Sequence, residues 1–125
     1  LAVDTKFIDG KNRVHLNGGR LITELETETW IKQAEDLGAG EILLTSMDHD
    51  GTKAGFDCGL LSKVNQMINI PIIASGGAGS MQHFTEVFQK ANVDAALAAS
   101  VFHYGEILIP DLKQELNRNN IPVRI

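Results

Sequence analysis

Four short apolar runs recur along the chain, and each leads into a segment with helical periodicity. The predicted strands cover 2–6, 41–45, 70–75 and 94–98. The predicted helices cover 27–37, 57–68, 80–90 and 110–119. Short apolar strands that alternate with helices form a parallel sheet with right-handed crossovers, so the order predicts an α/β fold of four parallel βα units.

One connection is longer than a βα loop requires. The segment 7–27 carries turn signals at 9–12 and 17–20. Between them, 13–16 is a short β-prone run, which predicts one arm of a hairpin. The helix that follows has one apolar face, and Gly38 ends it. The residues of that face are Trp30, Ile31, Ala34 and Leu37.

The number of βα units predicts half of a TIM (β/α)8 barrel. A complete barrel has eight units and typically about 250 residues, whereas this chain has four units in 125 residues. We therefore expect one domain over 1–125, a (β/α)4 half-barrel. Because the chain starts inside a strand without an initiator Met, we expect a part of a longer barrel. An uncovered inner face predicts self-association, a homo-oligomer of half-barrels.

Composition narrows the functional classes. A net charge of -5 predicts no nucleic-acid partner, and no apolar run reaches the about 20 residues of a membrane helix. The single cysteine, Cys58, predicts a helix-packing thiol in a reducing, cytoplasmic setting and no disulfide framework. No cluster of Cys and His suggests a metal.

Small residues follow two neighbouring predicted strands. Ser75 precedes Gly76 and Gly77, and Ala99 and Ser100 follow the next strand. Glycines let a backbone approach a ligand closely, and amides at a helix start can point at an anion. The pair predicts a phosphate site at the carboxyl ends of the strands. The alternative is a tight turn whose glycines serve packing.

Acidic residues mark the same edge of the sheet. Asp4 near a strand end suggests a general acid or base, or alternatively a salt bridge to Lys6 or Lys53. Asp48 and Asp50 share a glycine-containing loop, where they either act on a proton or order the loop. On strand spacing alone, Glu41 lies on the same face as Thr45, about 13 Å toward the opposite mouth, where a solvated strand start is the plain interpretation.

Three motifs in this order closely resemble the cyclase subunit of imidazole glycerol phosphate synthase, a family of histidine biosynthesis. They are the segments 38–57 (GAGEILLTSMDHDGTKAGFD), 71–79 (PIIASGGAG) and 95–103 (AALAASVFH). The resemblance covers essentially all of the chain and corresponds to the carboxy-terminal half of the family's barrel.

The resemblance implies an activity and its residues. The family adds ammonia from a glutaminase subunit to a phosphoribulosyl-formimino-aminoimidazole carboxamide ribonucleotide and uses no cofactor. The products are imidazole glycerol phosphate and an aminoimidazole carboxamide ribonucleotide. Asp4 matches one of two catalytic aspartates, Asp50 a loop aspartate that assists, and Glu41 a residue of the ammonia gate. The second-half phosphate site matches Thr45, Ser75, Gly76, Gly77, Ala99 and Ser100.

Alternatives remain open at this point. The sister isomerase of the same pathway shares the half-barrel ancestry, and a cyclase-like partner of surface-sugar synthesis has similar loops. A fragment that only binds phosphate and self-associates is a further alternative. Because one catalytic aspartate and one phosphate clamp belong to the missing half, we expect no turnover from this chain alone.

Overall fold

The computed structural model describes residues 1–125 and contains a single six-stranded sheet. The strands are β1 (Ala2–Ile8), β2 (Lys11–Leu16), β3 (Leu21–Glu26), β4 (Ile42–Ser46), β5 (Ile72–Ser75) and β6 (Ala95–Leu97). The helices are α1 (Thr27–Asp36), α2 (Cys58–Asn65), α3 (Met81–Glu86), α4 (Ser100–His103) and α5 (Ile109–Arg118). A π-helical turn, Val87–Ala91, extends α3. None of the helices combines the length and the hydropathy needed to span a lipid bilayer.

The strand order is β3-β2-β1-β4-β5-β6. Strands β1, β4, β5 and β6 run parallel, which confirms the four predicted parallel units of a partial barrel. Strands β2 and β3 form an antiparallel hairpin on the free edge of β1. The predicted hairpin arm at 13–16 is therefore confirmed, and its companion β3 is an element that the sequence pattern did not predict.

Local signals explain where the helices begin and end. Asp57 caps α2, because its Oδ1 accepts a hydrogen bond from the Leu60 amide at 3.0 Å. Gly38, with φ +97°, ends α1 in a conformation that favours glycine. Leu37 immediately precedes it and is 81% exposed, so the prediction that Leu37 belongs to the apolar face of α1 is wrong. The helix has already ended there, and its buried residues stop at Ala34.

The two faces of the sheet differ sharply in burial. Residues that alternate along the parallel strands, including Val3, Leu44 and Ala74, are buried against the helices. Helix residues Ile31, Leu61, Val64, Phe84 and Val87 belong to the same core. The intervening strand residues, such as Leu43 and Ile73, are only half-buried. They form the inner face, the one that a complete barrel would enclose.

Candidate functional site

A row of side chains crosses the inner face near the carboxyl ends of the strands. Asp4 pairs in register with Thr45, Thr45 with Ser75, and Ser75 with Leu97. Paired residues on neighbouring strands point to the same face, and neighbouring strands lie about 4.8 Å apart. Asp4 is therefore about 10 Å from Ser75, with Thr45 between them.

The hairpin continues this row beyond Asp4. His15 pairs with Asp4 across the antiparallel ladder, and Ile22 pairs with His15. The His15 side chain is nearly buried, at 9% exposure, and its Nδ1 lies 3.1 Å from the Arg13 carbonyl oxygen. Because a carbonyl oxygen can only accept, Nδ1 is the donor of this hydrogen bond. The β-prone run at 13–16 does not by itself indicate that His15 is a neighbour of Asp4.

A cleft of about 240 Å³ opens at one end of the row. Its lining combines the β5–α3 turn and the segment after β6, which were predicted to form one phosphate site, with the loop after β4. The lining residues are Asp50, Gly51, Lys53, Ser75, Gly76, Gly77, Ala78, Leu97, Ala98, Ala99 and Ser100. The structure thus brings six predicted site residues together and adds Lys53, which carried no site prediction.

The β4–α2 loop packs directly against the glycines of the β5–α3 turn. Gly76 and Gly77 have φ values of +93° and +105°. A Cβ on Gly77 would lie 2.0 Å from the Gly55 carbonyl oxygen, and one on Gly76 would lie 2.7 Å from the Ser46 oxygen. The Gly55 amide also donates to the Gly77 carbonyl at 2.8 Å. Packing thus requires glycine at both positions, whatever ligand the turn accepts.

The two loop aspartates have different surroundings. Asp48 Oδ2 accepts a hydrogen bond from the Phe7 amide at 2.7 Å, which ties the loop to the end of β1. Asp50 is exposed at the cleft, and its amide donates to the Ser46 carbonyl at 2.9 Å. Asp48 therefore orders the loop, whereas the Asp50 carboxylate is left available at the cleft.

A partly buried polar network connects the same loop to α2. His49 Nδ1 lies 2.8 Å from the Gly55 carbonyl oxygen, and its Nε2 lies 3.8 Å from Asp57 Oδ2. The Ser46 hydroxyl donates to the same Asp57 oxygen at 3.3 Å. Since Asp57 also caps α2, these contacts fix the loop to the helix that follows it.

Asp4 has neither of the salt-bridge partners considered from the sequence. Lys53 pairs instead with Glu106, at 2.6 Å, and Lys6 forms no ion pair. The Asp4 side chain is half-buried on the inner face. Its carboxylate therefore faces the inner side of the sheet without a paired cation.

Glu41 lies at the opposite end of β4 from Thr45. The residue is exposed and directly precedes the strand, and its carbonyl accepts a hydrogen bond from the Leu1 amino group at 2.9 Å. Four residues of extended chain separate it from Thr45, about 13 Å. The structure does not bring Glu41 to the cleft.

Other titratable groups lie away from the cleft. Cys58 is half-buried in the first turn of α2, and burial raises the pKa of its thiol, so the thiol stays protonated at neutral pH. No group of three or more His, Cys, Asp or Glu side chains is arranged to hold a metal ion.

These features define the class of the chain. A sheet with four parallel strands, with helices on one face and with acidic, hydroxyl and glycine residues at the carboxyl ends of those strands, is part of a (β/α)8 barrel.

The chain belongs to the histidine biosynthesis protein family, whose model matches residues 1–108. It is similar to proteins named imidazole glycerol phosphate synthase subunit HisF. The relative from Flavobacterium psychrophilum is 58% identical over 125 residues, 100% of this chain and 50% of the relative. The relative from Elusimicrobium minutum is 57% identical over 123 residues, 98% and 49% of the two chains. The chain thus spans about half the length of the relatives it matches.

Proposed function

We propose that this chain supplies the carboxy-terminal half of the cyclase barrel of imidazole glycerol phosphate synthase. In this proposal the assembled barrel uses ammonia and the formimino ribonucleotide to form imidazole glycerol phosphate and the aminoimidazole carboxamide ribonucleotide. One observation carries the proposal: an unpaired carboxylate, Asp4, stands two strands from a glycine-lined cleft on the same face. The names of the relatives support the same assignment.

The cleft is proposed to hold one phosphate of the substrate. The Ser75 and Ser100 hydroxyls are donors, and backbone amides of Gly76, Gly77 and Ala99 are available in turns where no side chain intervenes. Thr45 extends the hydroxyl series toward Asp4. A phosphate fixed at one end of the row would place the reacting part of an elongated substrate beside Asp4.

Asp4 is proposed to act as a general acid or base on the reacting part. Asp50, exposed at the cleft, assists from the loop above it. Ring closure needs protons both removed and delivered, and the second aspartate of the pair belongs to the missing half. This chain alone is therefore proposed to be inactive in solution, and its cytoplasmic setting follows from the same assignment.

Ammonia is proposed to enter from the other mouth of the barrel. Glu41 stands at the amino end of β4, the end away from the cleft, which is where a glutaminase subunit would have to dock to deliver ammonia through the barrel. The half-buried inner face is proposed to be covered in solution, by the first half when present and by a second copy of this chain otherwise.

Complementation tests the proposal. Mixing the chain with a polypeptide for the first half should restore ammonia-dependent cyclisation, measured as release of the aminoimidazole carboxamide ribonucleotide. Asp4→Asn should abolish that activity, because asparagine cannot exchange a proton. Asp36→Asn, an exposed aspartate at the end of α1, is the matched control and should retain activity. A complemented barrel that isomerises an aminoaldose instead would refute the cyclase assignment.

A further inference from the structure

An ion pair crosses the rim of the cleft. Lys53 Nζ lies 2.6 and 2.7 Å from the two carboxylate oxygens of Glu106. Lys53 belongs to the β4–α2 loop and lines the cleft, whereas Glu106 lies between α4 and α5 and is not part of the lining. The pair therefore joins a lysine of the cleft lining to a carboxylate outside that lining.

Lys53 is the single cation among the residues that line the cleft, and Asp50 is the single carboxylate. A phosphate dianion binds best where a cation and several N–H or O–H donors converge. The cleft supplies the donors, but its one positive charge is occupied by Glu106. An incoming phosphate must therefore compete with a carboxylate for this ammonium.

The backbone of Lys53 is tightly packed, whereas its side chain is exposed. Lys53 has a φ of +56°, and its carbonyl oxygen lies 2.2 Å from where a Cβ on Gly79 would stand, so loop and turn are in tight contact. The side chain is 44% exposed and that of Glu106 39%. Exposed pairs between flexible side chains are weak, so the ammonium can change partner by rotamer changes alone.

We propose that Lys53 is a phosphate-binding residue. Its ammonium pairs with Glu106 before phosphate binds, and the bound phosphate then takes the place of the Glu106 carboxylate. This inference rests on the proposed function, since it takes the cleft to be a phosphate site. The exchange also sets specificity. A ligand that must displace a carboxylate is favoured when it carries two negative charges, as a phosphate monoester does, over a diester or a carboxylate with one.

Titration of the chain with methyl phosphate at constant ionic strength, followed by amide and lysine side-chain NMR signals, tests the exchange. Saturable shifts are expected at the amides of Gly76, Gly77 and Ser100, together with a shift of the Lys53 ammonium signal. Lys53→Met should weaken binding about tenfold, as for loss of a charge-assisted hydrogen bond. Glu106→Gln should tighten binding about threefold, because an exposed competitor is removed.

Lys90→Met is the matched control, since Lys90 forms a similar exposed pair with Glu86 on the α3 side of the molecule and should leave binding unchanged. Dimethyl phosphate should bind more weakly than methyl phosphate to the wild-type chain, and this preference should be smaller in Lys53→Met.

The outcomes separate the two proposals. If the wild-type chain shows no saturable amide shifts, the cleft is not a phosphate site and this inference fails with it. If wild type and Lys53→Met bind methyl phosphate with equal affinity, the inference is overturned but the cleft is still a phosphate site. A weakened Lys53→Met with an unchanged Glu106→Gln would refute the exchange with Glu106.

Discussion

Replacing Gly77 with alanine should destabilise the chain strongly, for two separable reasons. The residue has a φ of +105°, which an L side chain adopts only at a cost of about 1–2 kcal/mol. The new Cβ would also lie 2.0 Å from the Gly55 carbonyl oxygen and 3.1 Å from His49 Cβ. Relieving that overlap must shift the loop, at a cost of about 1–3 kcal/mol.

The shift also removes a hydrogen bond. The Gly55 amide donates to the Gly77 carbonyl at 2.8 Å, a bond whose loss costs about 1 kcal/mol. Together these effects predict a loss of about 3–6 kcal/mol for Gly77→Ala. For a domain of ordinary stability this is a large fraction of the total.

Two other glycines isolate the contributions. Gly105 has a φ of +68° with nothing within 4 Å of an added Cβ, so Gly105→Ala measures backbone strain alone, about 1–2 kcal/mol. Gly79 has no left-handed φ, but an added Cβ would lie 2.2 Å from the Lys53 carbonyl oxygen. Gly79→Ala therefore measures the contact alone, about 1–3 kcal/mol.

Urea denaturation followed by circular dichroism measures all three variants. A shift of the midpoint at constant slope reports stability, and a Gly77→Ala chain that does not fold at all agrees with the prediction. If Gly77→Ala lowers the free energy of unfolding no more than Gly105→Ala does, the contact between the loop and this glycine does not stabilise the fold and the reasoning is refuted.

Three further variants test other parts of the fold. Thr5→Val should cost about 1–3 kcal/mol in urea denaturation, because the buried Thr27 hydroxyl, 2.6 Å away, loses its partner; adding Thr27→Val should restore part of that loss. Asp57→Ala should cost about 1–3 kcal/mol, because the α2 cap and the hydrogen bond from the Ser46 hydroxyl are both lost, and an unchanged midpoint would contradict it.

Burial tends to raise the pKa of Glu28, but its hydrogen bonds from Lys63 and Asn12 outweigh this effect and lower the pKa below the ordinary 4.5. The Glu28 carboxylate therefore stabilises the fold at pH values above 4.5. That stabilisation is lost as the pH falls through the folded-state pKa. Lys63→Met should flatten the acid limb of a stability–pH curve.

The parallel strands were predictable because each is a short apolar run bounded by turn residues. Strand β4 was expected at 41–45 and lies at Ile42–Ser46. Strand β3 was not predictable, since none of its residues is fully buried and its place depends on pairing with β2. The third helix was expected to continue to residue 90, and the chain does continue helically but changes to a π turn at Val87. No residue type signals that change.

The candidate site was predictable where it depends on topology. Parallel strands must bring their carboxyl ends to one edge, so Ser75 and Ser100 could be placed together from their positions after strands. Lys53 could not, because its partner Glu106 is 53 residues away and joins it only through the loop geometry. His15 could not be placed beside Asp4, since that contact depends on the register of the hairpin.

The hairpin has a consequence for assembly. It occupies the outer edge of β1 from Asp4 to Ile8 and leaves only Ala2 and Val3 unpaired on that side. A strand that pairs with β1 beyond Val3 must displace the hairpin. The sheet therefore has two open borders of different kinds: β3, which pairs antiparallel with its neighbour, and β6, which pairs parallel with its own. Copies of the chain can add at either border, but only addition at β6 extends the parallel ladder of a barrel.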